Sequence, residues 1–145
     1  MQIPVLKIAL NENERKEVMA LLQDNDLPVA DIKEETLLYL LIDDGKAIGT
    51  AGLDIFNDCA LLRSVSLAEA TRGKGYGKIL NVQIERMASD NGINCIYLIT
   101  HSAKDFFSKQ GYVVVDRNEV PSSIQRTEQF TGLCPSSAVV MKKEI

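Results

Sequence analysis

A chain of 145 residues with 46% hydrophobic and 25% charged residues has the balance of one globular domain with its own core, so a single domain over 1–145 is expected. No apolar run approaches the length that crosses a bilayer, and residues 1–7 lack a basic stretch followed by an apolar one, so a cytoplasmic protein without a membrane partner is expected. A net charge of −4 argues against a nucleic-acid partner but leaves room for a small anion at a locally positive site, while three scattered cysteines and one histidine argue against a zinc site and a disulfide framework.

Residues 3–10 alternate loosely and read as a strand. Asn11 reads as a helix N-cap with Glu14 as its capping-box partner, and the helix carries Val18, Leu21 and Leu22 on one face. Pro28 follows it, and 30–35 reads as a short helix or a turn. Residues 36–42 are apolar and run into Asp43-Asp44-Gly45, a hairpin signal, with 46–56 as the return strand. Gly49 and Gly52 within it mark bulges or close packing. After the Asn57-Asp58 turn, 59–67 completes an antiparallel meander. Residues 75–91 read as a long helix with Ile79, Val82, Ile84 and Met87 as apolar positions and Gly92 as its stop. A buried strand over 94–100 follows. Ser102 and Asp105 then read as the capping box of a short helix ended by Gly111, with a strand over 112–115. Residues 117–134 are polar and irregular, with Pro121 opening a short helix, and 136–142 form a last apolar strand. The fold class is therefore α/β (α+β): a mixed, mostly antiparallel central sheet with helices on both faces.

The densest chemical signal is Arg72-Gly73-Lys74-Gly75-Tyr76-Gly77-Lys78, where a strand hands over to a helix. Glycines let a backbone come close to a ligand, and a helix N-terminus offers unpaired N–H groups and partial positive charge. Together with Arg72, Lys74 and Lys78 this favours a phosphate or pyrophosphate. A Walker loop would need a GKS or GKT sequence, and a dinucleotide fingerprint would need GxGxxG in the first βαβ unit with an acidic residue ending the next strand. Here the pattern is GxGxG after a meander, and the next strand ends in Thr100-His101.

Arg72-x-x-Gly75-x-Gly77 resembles the acyl-CoA pyrophosphate loop of the GNAT family, the Gcn5-related N-acetyltransferases. Ala103-Lys104-Asp105-Phe106-Phe107-Ser108-Lys109-Gln110-Gly111-Tyr112 resembles that family's second block, at its usual separation. The resemblance covers nearly the whole chain. It implies the acyl-CoA N-acyltransferase fold and acetyl-CoA as cosubstrate. It also implies that the backbone of Gly73, Lys74, Gly75, Tyr76, Gly77 and Lys78 holds the pyrophosphate, with Arg72, His101 and Phe106 nearby. The backbone of Val65, Ser66 and Leu67 would pair with the pantetheine arm like an added strand. The tail, from Asn118 through Thr127, Gln129 and Phe130 to Ser137, is similar to the N-acetyltransferases of arsenic-resistance operons and to the acetyltransferase domain of N-acetylglutamate synthase. Both imply a small amine acceptor that is an amino acid or its mimic.

Amide formation needs a neutral amine, a polarised thioester carbonyl and a proton for the leaving thiolate. The family's usual proton-donating tyrosine falls at Phe107, so the general acid and base are unassigned. Tyr112 reads as core, Glu69 as solvated and Asp105 as a cap; deprotonation through water is an equal option. Arg63 stands in an apolar strand and wants an anion, either the acceptor's carboxylate or an acid of the protein itself. Thr100 is an acceptor or cofactor contact, or a strand-end cap. His101 reads as a surface or cofactor contact rather than a base. Thr127 and Gln129 are acceptor-pocket candidates by resemblance. A non-catalytic acyl-CoA-binding module and a protein or peptide N-acetyltransferase are the alternative functions, and a homodimer is open.

Overall fold

The computed structural model describes residues 3–27, 29–68, 73, 75–100, 102–127, 130 and 138–145. They form β1 (Val5–Ile8), α1 (Glu12–Asp24), β2 (Leu37–Asp43), β3 (Lys46–Phe56), β4 (Cys59–Leu67), α2 (Tyr76–Asp90), β5 (Cys95–Thr100), α3 (Lys104–Lys109), β6 (Val113–Val115), a 3₁₀ turn (Arg117–Glu119), α4 (Ser122–Gln125) and β7 (Val139–Glu144). One seven-stranded sheet has the order β1-β2-β3-β4-β5-β7-β6. Its neighbours are antiparallel except for β4 and β5. This is the mixed, mostly antiparallel sheet the sequence implies.

Alternation along the strands assigns each face a helix. Leu38 and Leu40 pack with Val18 and Leu22 of α1. Tyr39 and Leu41, one residue out of phase, pack with Leu80, Ile84 and Ala88 of α2. Farther along the first face, Leu61, Tyr97 and Val140 meet Ile124 of α4. Helices therefore cover both faces.

The ends of the elements follow local chemistry. Asp44 (φ 51) and Gly45 (φ 76) form the two-residue hairpin turn between β2 and β3, with both residues left-handed as the type I′ turn requires. Asn11 Oδ1 accepts from Glu14 N at 2.8 Å, and the Glu14 carboxylate returns to Leu10 N, one residue before the cap. The hydrogen bond from Lys7, then that from Leu10 N, hold the Glu14 carboxyl below its ordinary value. Gly92 closes α2 in a Schellman motif, its N–H on Ser89 O and that of Ile93 on Ala88 O. The Gln83 amide reaches the outer edge of β1, accepting from Leu6 N and donating to Pro4 O, both at 2.7 Å.

Residues 30–35 form turns, one of the two forms expected. Three sequence expectations are corrected. Val82 is 45% exposed, because the buried stripe of α2 runs through Leu80, Ile84 and Ala88 at four-residue spacing. The Ser102–Asp105 capping box does not form. The N-cap of α3 is Ala103, and its N–H is taken by Thr100 Oγ1 at 3.0 Å. Pro121 is the N-cap of α4 rather than its first residue.

Gly49 lies so close to β4 that a Cβ there would stand 2.8 Å from the Ser66 carbonyl and 2.9 Å from Leu67 Cδ2. Gly49→Ala is expected to destabilise the fold by about 1–3 kcal/mol, since a backbone oxygen has to move. Urea unfolding checks this: the midpoint falls with an unchanged slope.

Candidate functional site

The only parallel ladder among the described residues is also a short one. β4 and β5 pair over four residues, from Cys59↔Cys95 to Leu62↔Leu98. Beyond Leu62 the edge of β4 that β5 would cover faces a cleft. The cause is a bulge: between Gly52↔Arg63 and Thr50↔Ser66, β4 spends one residue more than β3. Ser64 takes a left-handed conformation, φ 56, to accommodate it. Thr50 Oγ1 lies 2.8 Å from Ser64 O and 2.6 Å from Ser66 Oγ. Its single proton goes to the carbonyl, so the Ser66 hydroxyl donates to Thr50.

The cleft, of about 640 Å³, opens at the C-terminal ends of the two parallel strands, where crevices of mixed sheets collect ligands. At one end Gly77 lies under Phe106 and Leu67; a Cβ on Gly77 would stand 3.2 Å from the Phe106 ring. Here α2 begins with Gly75, φ 81, which offers no side-chain cap, and its first turn holds no acid. In contrast, α1 has the Asn11 cap and Glu12 and Glu14 in its first turn. The first N–H groups of α2 thus lack the side-chain acceptor that α1 supplies, and Lys78 stands exposed beside them. At the other end, Asn25, Asp26 and Leu27, which follow α1, stand with Arg63 and Ser64. Leu62, Leu80, Leu98 and Phe107 make an apolar wall.

Arg63 is satisfied inside the chain. Its two terminal nitrogens hold Asp31 at 2.6 and 2.7 Å, one reaches Asp54 at 3.4 Å, and Nε donates to Ser64 Oγ at 3.1 Å. Arg63 and Asp31 side chains are only 2% and 4% exposed. Burial pulls the guanidinium pKa down, but hydrogen bonding and charge from Asp31, then Asp54, outweigh it and hold the value above the ordinary one. Thr36 Oγ1 donates to Asp54 at 2.6 Å, and Arg15 ties Thr36 O and Lys33 O to α1. The anion that Arg63 requires is therefore a protein carboxylate, the second of the two partners expected for it, and not the acceptor's. No sequence spacing links residues 31, 54 and 63; the pairing is made by the turn after α1.

Of the remaining expected residues, Val65, Ser66, Leu67, Gly77, Phe106 and Thr100 line the cleft. Thr100 also serves as the strand-end cap. The Tyr76 ring packs against the core and its hydroxyl donates to Asp43 at 3.4 Å, so backbone alone is its means of contact. Thr127 does not line the cleft; its hydroxyl donates to Ile124 O and accepts from Phe130 N, which corrects its place in the acceptor pocket. Phe130 packs on the core, with Arg117 over its ring. Arg72, Lys74, His101 and Gln129 lie outside the described residues, as do Glu69 and Cys134.

Phe107 stacks edge-on between Phe106 and Tyr112 and lines the cleft with a ring that has no proton to give. Tyr112 is buried and absent from the cleft lining, as its reading as core implies, and burial, then Glu85, raises its pKa. Cys59 and Cys95 are free and sit side by side at the start of β4 and β5. Burial, with Cys95 and Asp58 beside it, pushes the Cys59 thiol up to about 12. Among the described lining residues the sole carboxyl is Asp26, at φ 59 in the left-handed position that ends α1. Sequence reasoning passed over Asp26 and Asn81, which stood in a helix cap and a helix interior.

A family model described as acetyltransferase (GNAT) family matches residues 6–112. The chain belongs to the GNAT family. Enzymes of this family use acetyl-CoA as cosubstrate, and the uncapped N-terminus of α2 with the uncovered edge of β4 fits such a ligand. Uncharacterized N-acetyltransferase CT2212 of Chlorobaculum tepidum is 29% identical over 83 residues, which are 57% of this chain and 53% of that protein. The chain thus spans about half the length of the curated relative it matches. N-acetylglutamate synthase from Neisseria gonorrhoeae, complexed with coenzyme A and N-acetyl-glutamate, has a TM-score of 0.80 at 17% identity over 99% of this chain and 35% of that one. Rv2747 from Mycobacterium tuberculosis, in complex with CoA and NLQ, has a TM-score of 0.73 at 18% identity over 98% and 99%. These similarities show the acyl-CoA N-acyltransferase fold.

Removing one member of a buried ion pair strands the other. Arg63→Met is expected to destabilise by about 3–5 kcal/mol, and Arg63→Met with Asp31→Leu to recover most of it. Urea unfolding of the two variants measures the difference.

Proposed function

We propose that this domain is an acetyl-CoA-dependent N-acetyltransferase acting on the amino group of a small amino acid or amino-acid mimic. The observation that carries the reading is the cleft where β4 leaves β5, with an uncapped helix N-terminus at one end and a polar pocket at the other. In this reading the backbone N–H groups at 73–78 hold the pyrophosphate, with Lys78, Arg72 and Lys74 adding charge. Val65, Ser66 and Leu67 hold the pantetheine arm, and Phe106 closes over it. The acceptor lies among Asn25, Asp26, Leu27, Ser64 and Thr100. The N-acetyl-glutamate bound by the Neisseria protein supports an amino-acid acceptor. The Arg63–Asp31 pair supports it too, since it fixes the turn after α1 in place and keeps that end of the cleft narrow. Toxic glutamate mimics, including arsenic-containing ones, belong to the same class of acceptor.

Acetyl-CoA supplies the acetyl group on a thioester carbonyl. The chain must supply a way for the acceptor ammonium to lose its proton. Asp26 carries the carboxylate that lines the cleft, and its exposure lets water relay the proton to it. No tyrosine, histidine or cysteine stands among the described lining residues. The thiol leaving group, with a pKa not far above neutrality, needs little help.

A panel of amino acids, with phosphorus- and arsenic-containing glutamate mimics, is expected to include acceptors that release thiol from acetyl-CoA. Coenzyme A binding without turnover on any amine would instead favour a non-catalytic module, the reading that Phe107 keeps open. Lys78→Glu is expected to raise KM for acetyl-CoA about five- to tenfold with kcat little changed. Asp26→Asn is expected to lower kcat about a hundredfold while KM for acetyl-CoA holds, in steady-state kinetics with the best acceptor.

A further inference from the structure

The core-facing stripe of α2 contains a polar residue that the fold uses only in part. Asn81 is 3% exposed and lies one turn beyond Gly77, between Leu80 and Ile84. It lines the cleft beside Leu62, Leu80, Leu98 and Phe107. Its Nδ2 donates to Glu85 Oε2 at 2.7 Å. Glu85 is itself held by Lys143 Nζ at 2.8 Å, and Lys143 by Gln110 O at 2.7 Å. A carboxylate so paired accepts and does not donate, so the amide cannot turn over. The nitrogen end is fixed on Glu85 and the oxygen end points away from it. Among the described residues, Asn81 Oδ1 has no hydrogen-bond partner. A buried acceptor without a donor weakens a fold, and a leucine would fill this stripe without that penalty.

We infer that Asn81 Oδ1 is the acceptor for an amide N–H of the pantetheine arm. The inference rests on the acyl-CoA reading of the cleft and adds a side-chain contact to the backbone ones. Its logic is positional. The pyrophosphate reading sets the ligand's anionic end at the first turn of α2, and Asn81 lies about 6–8 Å farther along the helix at 1.5 Å per residue. The arm that enters there is amphipathic, with secondary amides along an otherwise apolar chain. An apolar wall with a single fixed acceptor complements it: the wall takes the methylenes and Oδ1 takes the N–H. With the nitrogen end held by Glu85, the site selects a donor and rejects another acceptor.

The test compares Asn81→Leu and, as a smaller change, Asn81→Ala with the wild type by calorimetric titration. The probes are coenzyme A and adenosine diphosphate, which keeps a pyrophosphate but lacks the arm. For Asn81→Leu, coenzyme A is expected to bind about five- to twentyfold more weakly, with adenosine diphosphate within twofold of wild type. The melting temperature of Asn81→Leu is expected to rise by about 2–4 °C, because a buried orphan has been removed. Unchanged coenzyme A affinity overturns the inference, and an unchanged affinity with a lower melting temperature makes Asn81 structural. Equal weakening of both probes, or a loss confined to the acceptor's KM, also overturns it. A wild-type protein that binds no coenzyme A sinks the acyl-CoA reading itself, which separates the two failures.

Discussion

The ladder between β4 and β5 stops at Leu62 and Leu98 because the extra residue at Ser64 turns β4 toward β3 and away from its parallel neighbour. That parting sets what the other elements must do. α2 and α3 have to wall the gap from one face of the sheet, and Gly77 has no Cβ because Phe106 packs on it there. The turn after α1 has to close the gap from the other direction. It is held by Arg63, the residue just before the bulge, through Asp31. A small distortion in one strand is thus flanked by an ion pair on one side and a helix terminus on the other. The resulting surface is concave in an otherwise continuous sheet.

The meander was legible because its signals are local. Asp44-Gly45 demands a two-residue turn and the apolar runs demand strands, so β3 and β4 fall where the pattern sets them. The glycine loop was legible for the same reason, since a strand, three glycines and a helix lie consecutively. What depends on residues far apart was harder to read. Arg63 asked for an anion, but its partner Asp31 stands in a turn whose position is a tertiary outcome. Ser102 and Asp105 fit a capping box, yet Thr100 reached the Ala103 N–H first. Val82 looked apolar and is exposed, because α2 is anchored through the four-residue row of Leu80, Ile84 and Ala88. Asn81 gave no signal at all: an asparagine in a helix is ordinary until its surroundings are known.

Two buried polar groups of the cleft, Arg63 and Asn81, are treated in opposite ways. Arg63 has each end of its guanidinium occupied, and Thr36, Asp54 and Arg15 extend that network to α1. A satisfied network rigidifies what it joins. Asn81 is half satisfied, with one end locked on Glu85 and the other bare. The first pattern shapes a pocket wall. The second is what a wall looks like when it retains an interaction for something that is not part of the chain.

The register of the β4–β5 ladder has a consequence for the order of folding. β2 to β4 pair through short turns, whereas Cys59 must find Cys95, 36 residues away, after α2 has formed between them. Closing that loop costs entropy before any contact repays it, so the meander can assemble while the second half of the sheet is still searching. The seam that joins the two halves of the sheet is then also the seam that opens into the cleft. A molecule seated there would bridge the early half of the fold to the late one. Its occupancy would be read in hydrogen exchange as slowed opening of β5 and β7 rather than of the hairpins.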